Sequence, residues 1–100
     1  MSVATRADLD LFPATIETPQ GRFSMARLWV RDGFARVFVA RGRQVELIYE
    51  SHGVLEVQAG SGRRNPYKVT FEDGGIWEAV RSGSCGCSSP LKRFDPGGWK

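Results

Sequence analysis

Few side chains of this sequence have chemistry to offer. They are two thiols one residue apart, a single imidazole, and arginines gathered in two loops. Cys85 and Cys87 flank Gly86. A bridge between them would close almost no loop, so it would remove little chain entropy and strain its own geometry. The pair therefore reads as free thiols in a reducing compartment or as part of a metal site, with redox chemistry a third reading. Glycine lets the backbone curl so that both thiolates face one soft ion. Structural zinc takes four ligands, and the chain adds only His52. A zinc site at Cys85 and Cys87 would thus need ligands from a second chain or a partner protein. No other cofactor is implied.

Catalysis finds little support. His52 stands alone in a turn between strand patterns, and the closest acidic pairs are Asp8/Asp10 and Glu72/Asp73. Gly60-Ser61-Gly62 lacks the Gly-Lys-Ser/Thr continuation of a phosphate loop. The chain reads as a non-enzyme. Arg41, Arg43, Arg63 and Arg64 sit in two glycine-containing loops, with Tyr67 and Lys68 after the second. Basic loops with nearby aromatics are how oligonucleotide-binding barrels hold single strands. Nucleic acid is therefore the alternative partner, although a net charge of +3 is small for that task.

These residues must be positioned by strands. Apolar and polar residues alternate over 26–31, 34–41, 44–50, 54–59, 67–72 and 76–81, with an earlier strand near Ala14–Thr18. Asp32-Gly33 and Asp73-Gly74-Gly75 are hairpin signals. Strands of this length at spacings of about ten residues predict an all-β fold. The expectation is an antiparallel meander of six or seven strands forming a small barrel or sandwich. Residues 1–81 make the β domain, with a candidate short helix over 3–12 stopped by Pro13. Cross-strand pairing predicts Arg36 opposite Glu46.

Residues 82–100 lose the alternation. They hold four Ser, four Gly, two Pro and both Cys, so they read as an irregular tail. Its large apolar groups are Leu91, Phe94 and Trp99. Several strands are apolar on both faces, as at Trp29/Val30, Val37/Phe38 and Leu47/Ile48. Either something within the chain covers the second face, or a partner does. Leu91, Phe94, Trp99 and Trp29 are the candidate partner-binding residues, and self-association is one form of that reading.

One hundred residues suit one domain. No run of 18 apolar residues predicts a membrane span, and the first ten residues lack a signal-peptide core. The expected location is cytoplasmic. The charge is unevenly spread. The first sixty residues carry seven basic and seven acidic groups, whereas the last forty carry seven and four. The whole excess lies beside the cysteines.

The stretch Val69-Thr70-Phe71-Glu72-Asp73-Gly74, then Trp77, Cys85-Gly86-Cys87 and Pro90-Leu91-Lys92, resembles small β-rich proteins of actinobacterial phages that have no assigned function. The resemblance covers the last third of the chain. It implies a phage product acting in the bacterial host cytoplasm or in the virion, and it brings no catalytic residue. Together these observations favour a non-catalytic protein-interaction or virion-associated module.

Overall fold

Turn chemistry divides the chain into strands. Asp32 and Gly33 both have positive φ, 54° and 83°, as a two-residue hairpin turn of the I′ kind requires. The computed structural model describes residues 8–82 and 89–96. It contains β1 (Leu9–Thr18), β2 (Gly21–Arg31), β3 (Phe34–Arg41), β4 (Gln44–Ser51), β5 (Val54–Gln58), β6 (Tyr67–Phe71) and β7 (Ile76–Arg81). All seven join one antiparallel sheet in the order β4-β3-β2-β1-β7-β6-β5. The protein is all-β.

The sheet does not close into a barrel. Its end strands, β4 and β5, are consecutive in the chain and joined only by His52 and Gly53. Two single bonds bring the start of β5 back towards the rest of the sheet. Val54 N–H donates to Gly33 O at 3.1 Å, and Glu72 N–H donates to Gly53 O at 2.8 Å.

Curvature arises in β1 and β2. The register shifts between Leu11 and Ala14, at the cis Phe12-Pro13 bond, and again between Ala14 and Ile16, opposite Met25 with φ 49°. Extra residues of this kind bend a strand and increase its twist. The first half of β1 therefore pairs with β2 alone, while Ala14, Ile16 and Glu17 pair with both β2 and β7. The helix expected over 3–12 is corrected at its described end, because Leu9–Phe12 lie in β1. Leu9 and Leu11 pair with Val30 and Leu28, while Asp10 faces the opposite side with Trp29. That period-2 alternation outweighs the helical spacing. Residues 3–7 lie outside the described residues.

The concave side holds the main core. Leu11, Ile16, Leu28, Val37 and Val69 are fully buried there with Phe71 and Trp77. Tyr49 stacks on Trp77 with ring centroids 5.0 Å apart. Each large side chain removed from water contributes about 1.5–3 kcal/mol before entropy is subtracted. Residues 89–96 do not extend the sheet. They include the 3₁₀ turn Pro90–Lys92, which packs on β3 and β4.

Candidate functional site

The convex side of β2 and β3 is apolar and basic in alternation. Phe38 lies opposite Arg27, and Arg36 lies opposite Trp29. Trp29 and Phe38 are 8% and 0% exposed. Phe12 of β1 and Ala40, Val45 and Leu47 of β3 and β4 surround them. A sheet face of this composition would lose water readily to any apolar cover.

The chain supplies the cover itself. Leu91 seats between Trp29 and Phe38 and is 1% exposed. Phe94 meets Phe38 edge to face, with centroids 4.6 Å apart. The local turn is shaped by Ser89, whose Oγ accepts from Leu91 N–H at 3.2 Å, and by Pro90 at the first helical position.

Two arginines fasten the segment. Arg27 donates through Nη1 to Leu91 O at 2.7 Å and to Phe94 O at 3.1 Å. Its Nε and Nη2 grip both carboxylate oxygens of Asp10, at 2.7 and 2.6 Å. The guanidinium also sits 5.0 Å from the Phe94 ring centroid. Arg36 donates through Nε to Glu50 Oε2 at 2.6 Å and through Nη1 to Pro96 O at 2.9 Å. In both cases a carboxylate orients the guanidinium and its remaining N–H groups reach backbone carbonyls. The segment is thus held through its main-chain carbonyls by the arginines and through Leu91 by Trp29 and Phe38.

The candidate partner-binding residues are thus brought together, but on each other. Trp29, Leu91 and Phe94 do not form an exposed patch, because their apolar area is already removed from water inside the chain. Of the two ways of covering the second strand face, cover from within the chain is the one seen at Trp29, Phe38 and Leu91. Arg36 pairs with Glu50 rather than Glu46, which pairs instead with Arg41 at 3.0 Å. The tight turn that pairs Arg41 with Gln44 puts Glu46 opposite Val39, and with the one-residue shift after Val37 it puts Glu50 opposite Arg36. Trp99, Cys85 and Cys87 lie outside the described residues. Among the described residues, no group of three His, Cys, Asp or Glu side chains is placed to hold a metal.

The basic candidates are scattered. Arg41 and Arg43 border the β3–β4 turn, and Arg63 and Arg64 lie in the β5–β6 loop. These connections belong to opposite ends of the strand order. Arg63 lines a groove of about 320 Å³ with Arg22, Glu17 and Glu78. Lys68 lies 4.0 Å from Glu78. The groove therefore mixes signs, and Glu17 faces Glu78 directly across the β1–β7 ladder. His52 lines a separate cleft of about 300 Å³ with Asp32 and Glu72, its ring edge-on to Phe34 at 4.5 Å.

Arg27 and Arg36 are the site residues that motif reading misses. Their signal is parity. Each falls on the strand face that also carries Trp29 or Phe38, where a cation on an otherwise apolar stripe needs an acceptor. Set against known proteins, the chain matches no family model, no curated protein and no solved structure.

Proposed function

We propose that the protein is a non-catalytic interaction module whose recognition surface is the convex face of β2, β3 and β4. It takes a short peptide of the type Pro-Leu-x-x-Phe-x-Pro folded as a 3₁₀ turn, and its own residues 89–96 occupy that surface in cis. The observation that carries this reading is the mode of attachment. Arg27 and Arg36 bind three carbonyls of the segment, while Leu91 fills one pocket. Bonds to the main chain hold such a segment whatever its side chains, and a pocket for one side chain makes the choice specific. The resemblance to phage proteins agrees with such a role in the virion or in the host cytoplasm.

The test separates segment from surface. In the full chain, Leu91→Asp with Phe94→Ser vacates the surface and leaves every residue of the concave core in place. Calorimetric titration with the peptide Ser-Pro-Leu-Lys-Arg-Phe-Asp-Pro is expected to show saturable 1:1 binding. The same peptide with Leu replaced by Asp is expected to give none. Equal heats from both peptides, or no heat at millimolar peptide, would overturn the reading.

A second reading is a nucleic-acid-binding module using Arg41, Arg43, Arg63, Arg64 and Lys68. The observation in its favour is that Arg43, Arg63 and Arg64 form no salt bridge among the described residues. Against it stand Glu17, Glu46 and Glu78, each within 4.0 Å of a basic side chain.

A further inference from the structure

We infer that the protein binds a phosphate-type dianion in a second groove, between the end of β7 and the 3₁₀ turn Pro90–Lys92, and that the bound anion locks residues 89–96 onto the sheet. This requires the segment to be seated in cis, as it is, and does not require the convex face to accept a peptide from elsewhere.

The groove encloses about 250 Å³ and is lined by Asp10, Phe12, Arg27, Arg81 and Lys92. Its charged groups are unequally satisfied. Asp10 and Arg27 neutralise each other through bonds of 2.7 and 2.6 Å, and Arg27 Nη1 is committed to Leu91 O and Phe94 O. Arg81 makes one long bond, from Nη1 to Phe12 O at 3.3 Å, and no salt bridge among the described residues. The Lys92 side chain makes neither a hydrogen bond nor a salt bridge among them. Two unneutralised cations therefore share one groove, Arg81 from the last residue of β7 and Lys92 from the last residue of the 3₁₀ turn. The groove beside Arg63 differs, because Glu17 and Glu78 stand among its cations.

Seating the segment brings Lys92 to the groove that Arg81 lines, and like charges repel. A dianion between them turns that repulsion into two attractions, whereas a monoanion balances only one cation. The donors suit a tetrahedral oxyanion. The bond to Phe12 O orients the Arg81 fork and leaves its other N–H groups for two oxygens, while Lys92 brings a point charge on a flexible stem. The site is complete only when the segment is seated, because Lys92 arrives with it. Anion and segment must therefore favour each other by the same factor.

The test is a titration of the full chain with inorganic phosphate and, separately, with methyl phosphate, at constant ionic strength maintained with chloride. Backbone amide NMR shifts report binding, and hydrogen exchange reports seating of 89–96. Saturable shifts are expected around Arg81 and Lys92. At saturation, exchange over 89–96 should slow by at least about fivefold, the lower end of usual coupling between sites. Arg81→Gln and Lys92→Gln should each weaken binding by a similar factor and remove the slowing. Leu91→Asp with Phe94→Ser keeps both cations but unseats the segment, and it should lose binding as well. Saturation by both probes assigns the site to the phosphoryl group of a larger molecule, and saturation by inorganic phosphate alone assigns it to the free ion. Shifts that rise without saturating sink the anion site. So does binding that survives unchanged in Arg81→Gln or in the unseated chain. None of these outcomes depends on the free Ser-Pro-Leu-Lys-Arg-Phe-Asp-Pro peptide, so the anion site and the peptide-binding reading can fail separately.

Discussion

Arg27 does at one position what several residues would otherwise have to share. It neutralises Asp10, satisfies two carbonyls of residues 89–96 and covers the Phe94 ring. Its side chain is only 12% exposed, while Asp10 is 48% exposed. The ion pair alone is therefore worth at most about 1 kcal/mol. The larger part lies in the charge-assisted bonds to Leu91 O and Phe94 O, at about 1.5–3 kcal/mol for hydrogen bonds to a charged group. Arg27→Ala is expected to lower stability by about 2–3 kcal/mol in urea unfolding. Arg27→Lys is expected to restore little, because a single ammonium cannot span a carboxylate and two carbonyls at once. The sequence holds six arginines from Arg22 to Arg43, and alternation alone does not tell them apart. Which of them are fastened depended on a contact with a segment more than sixty residues away, and no local pattern carries that.

Strands were far more legible than their curvature. Alternation located β2 to β7, only the second half of β1 was expected as a strand, and Asp32-Gly33 located the tightest turn, because these signals are local. The bulges around Pro13 and Met25 were not legible. They arise where β1 must serve two neighbours along part of its length. The segment 89–96 and the sheet also differ in what they depend on. Leu28 is fully buried on the concave side, whereas Leu91 belongs to the convex cluster. Leu28→Ala is expected to reduce global stability by about 3 kcal/mol in urea or thermal unfolding. Leu91→Ala is expected to act locally. Hydrogen exchange should rise over 89–96, while protection in β2 and β3 stays near that of the parent chain. Equal loss of protection in both regions would show the convex cluster to be part of the global folding unit.

At the scale of the whole molecule, the apolar second face announced in the sequence has an internal answer. Composition showed that a cover was needed but not whether it belonged to the chain, because Leu91 and Phe94 suit either role. The charge excess of the last forty residues is likewise shared out. Lys68 lies beside Glu78, and Arg81 Nη1 donates to Phe12 O at 3.3 Å. Arg63 and Arg64 stay free of salt bridges among the described residues. If these loops hold phosphates, retention on a single-stranded DNA column should fall steeply between 50 and 200 mM salt, and Arg63→Ala with Arg64→Ala should flatten that dependence. Retention that is absent, or indifferent to salt, removes the nucleic-acid reading. No helix among the described residues is long and apolar enough to cross a membrane.

The position of β1 in the strand order also has a consequence in time. Hairpins β1–β2, β2–β3 and β3–β4 join neighbours in sequence, and so do β5–β6 and β6–β7. Among the described residues the one ladder between the two groups is β1–β7, from Ala14↔Arg81 to Glu17↔Glu78, with the Val54–Gly33 bond and the Tyr49–Trp77 stack beside it. Loop-closure entropy is paid before such distant contacts return anything. The two hairpin arrays can therefore form early and separately. Their docking through four residue pairs of β1 is the slow event, and the concave core between them is dry only once it is over.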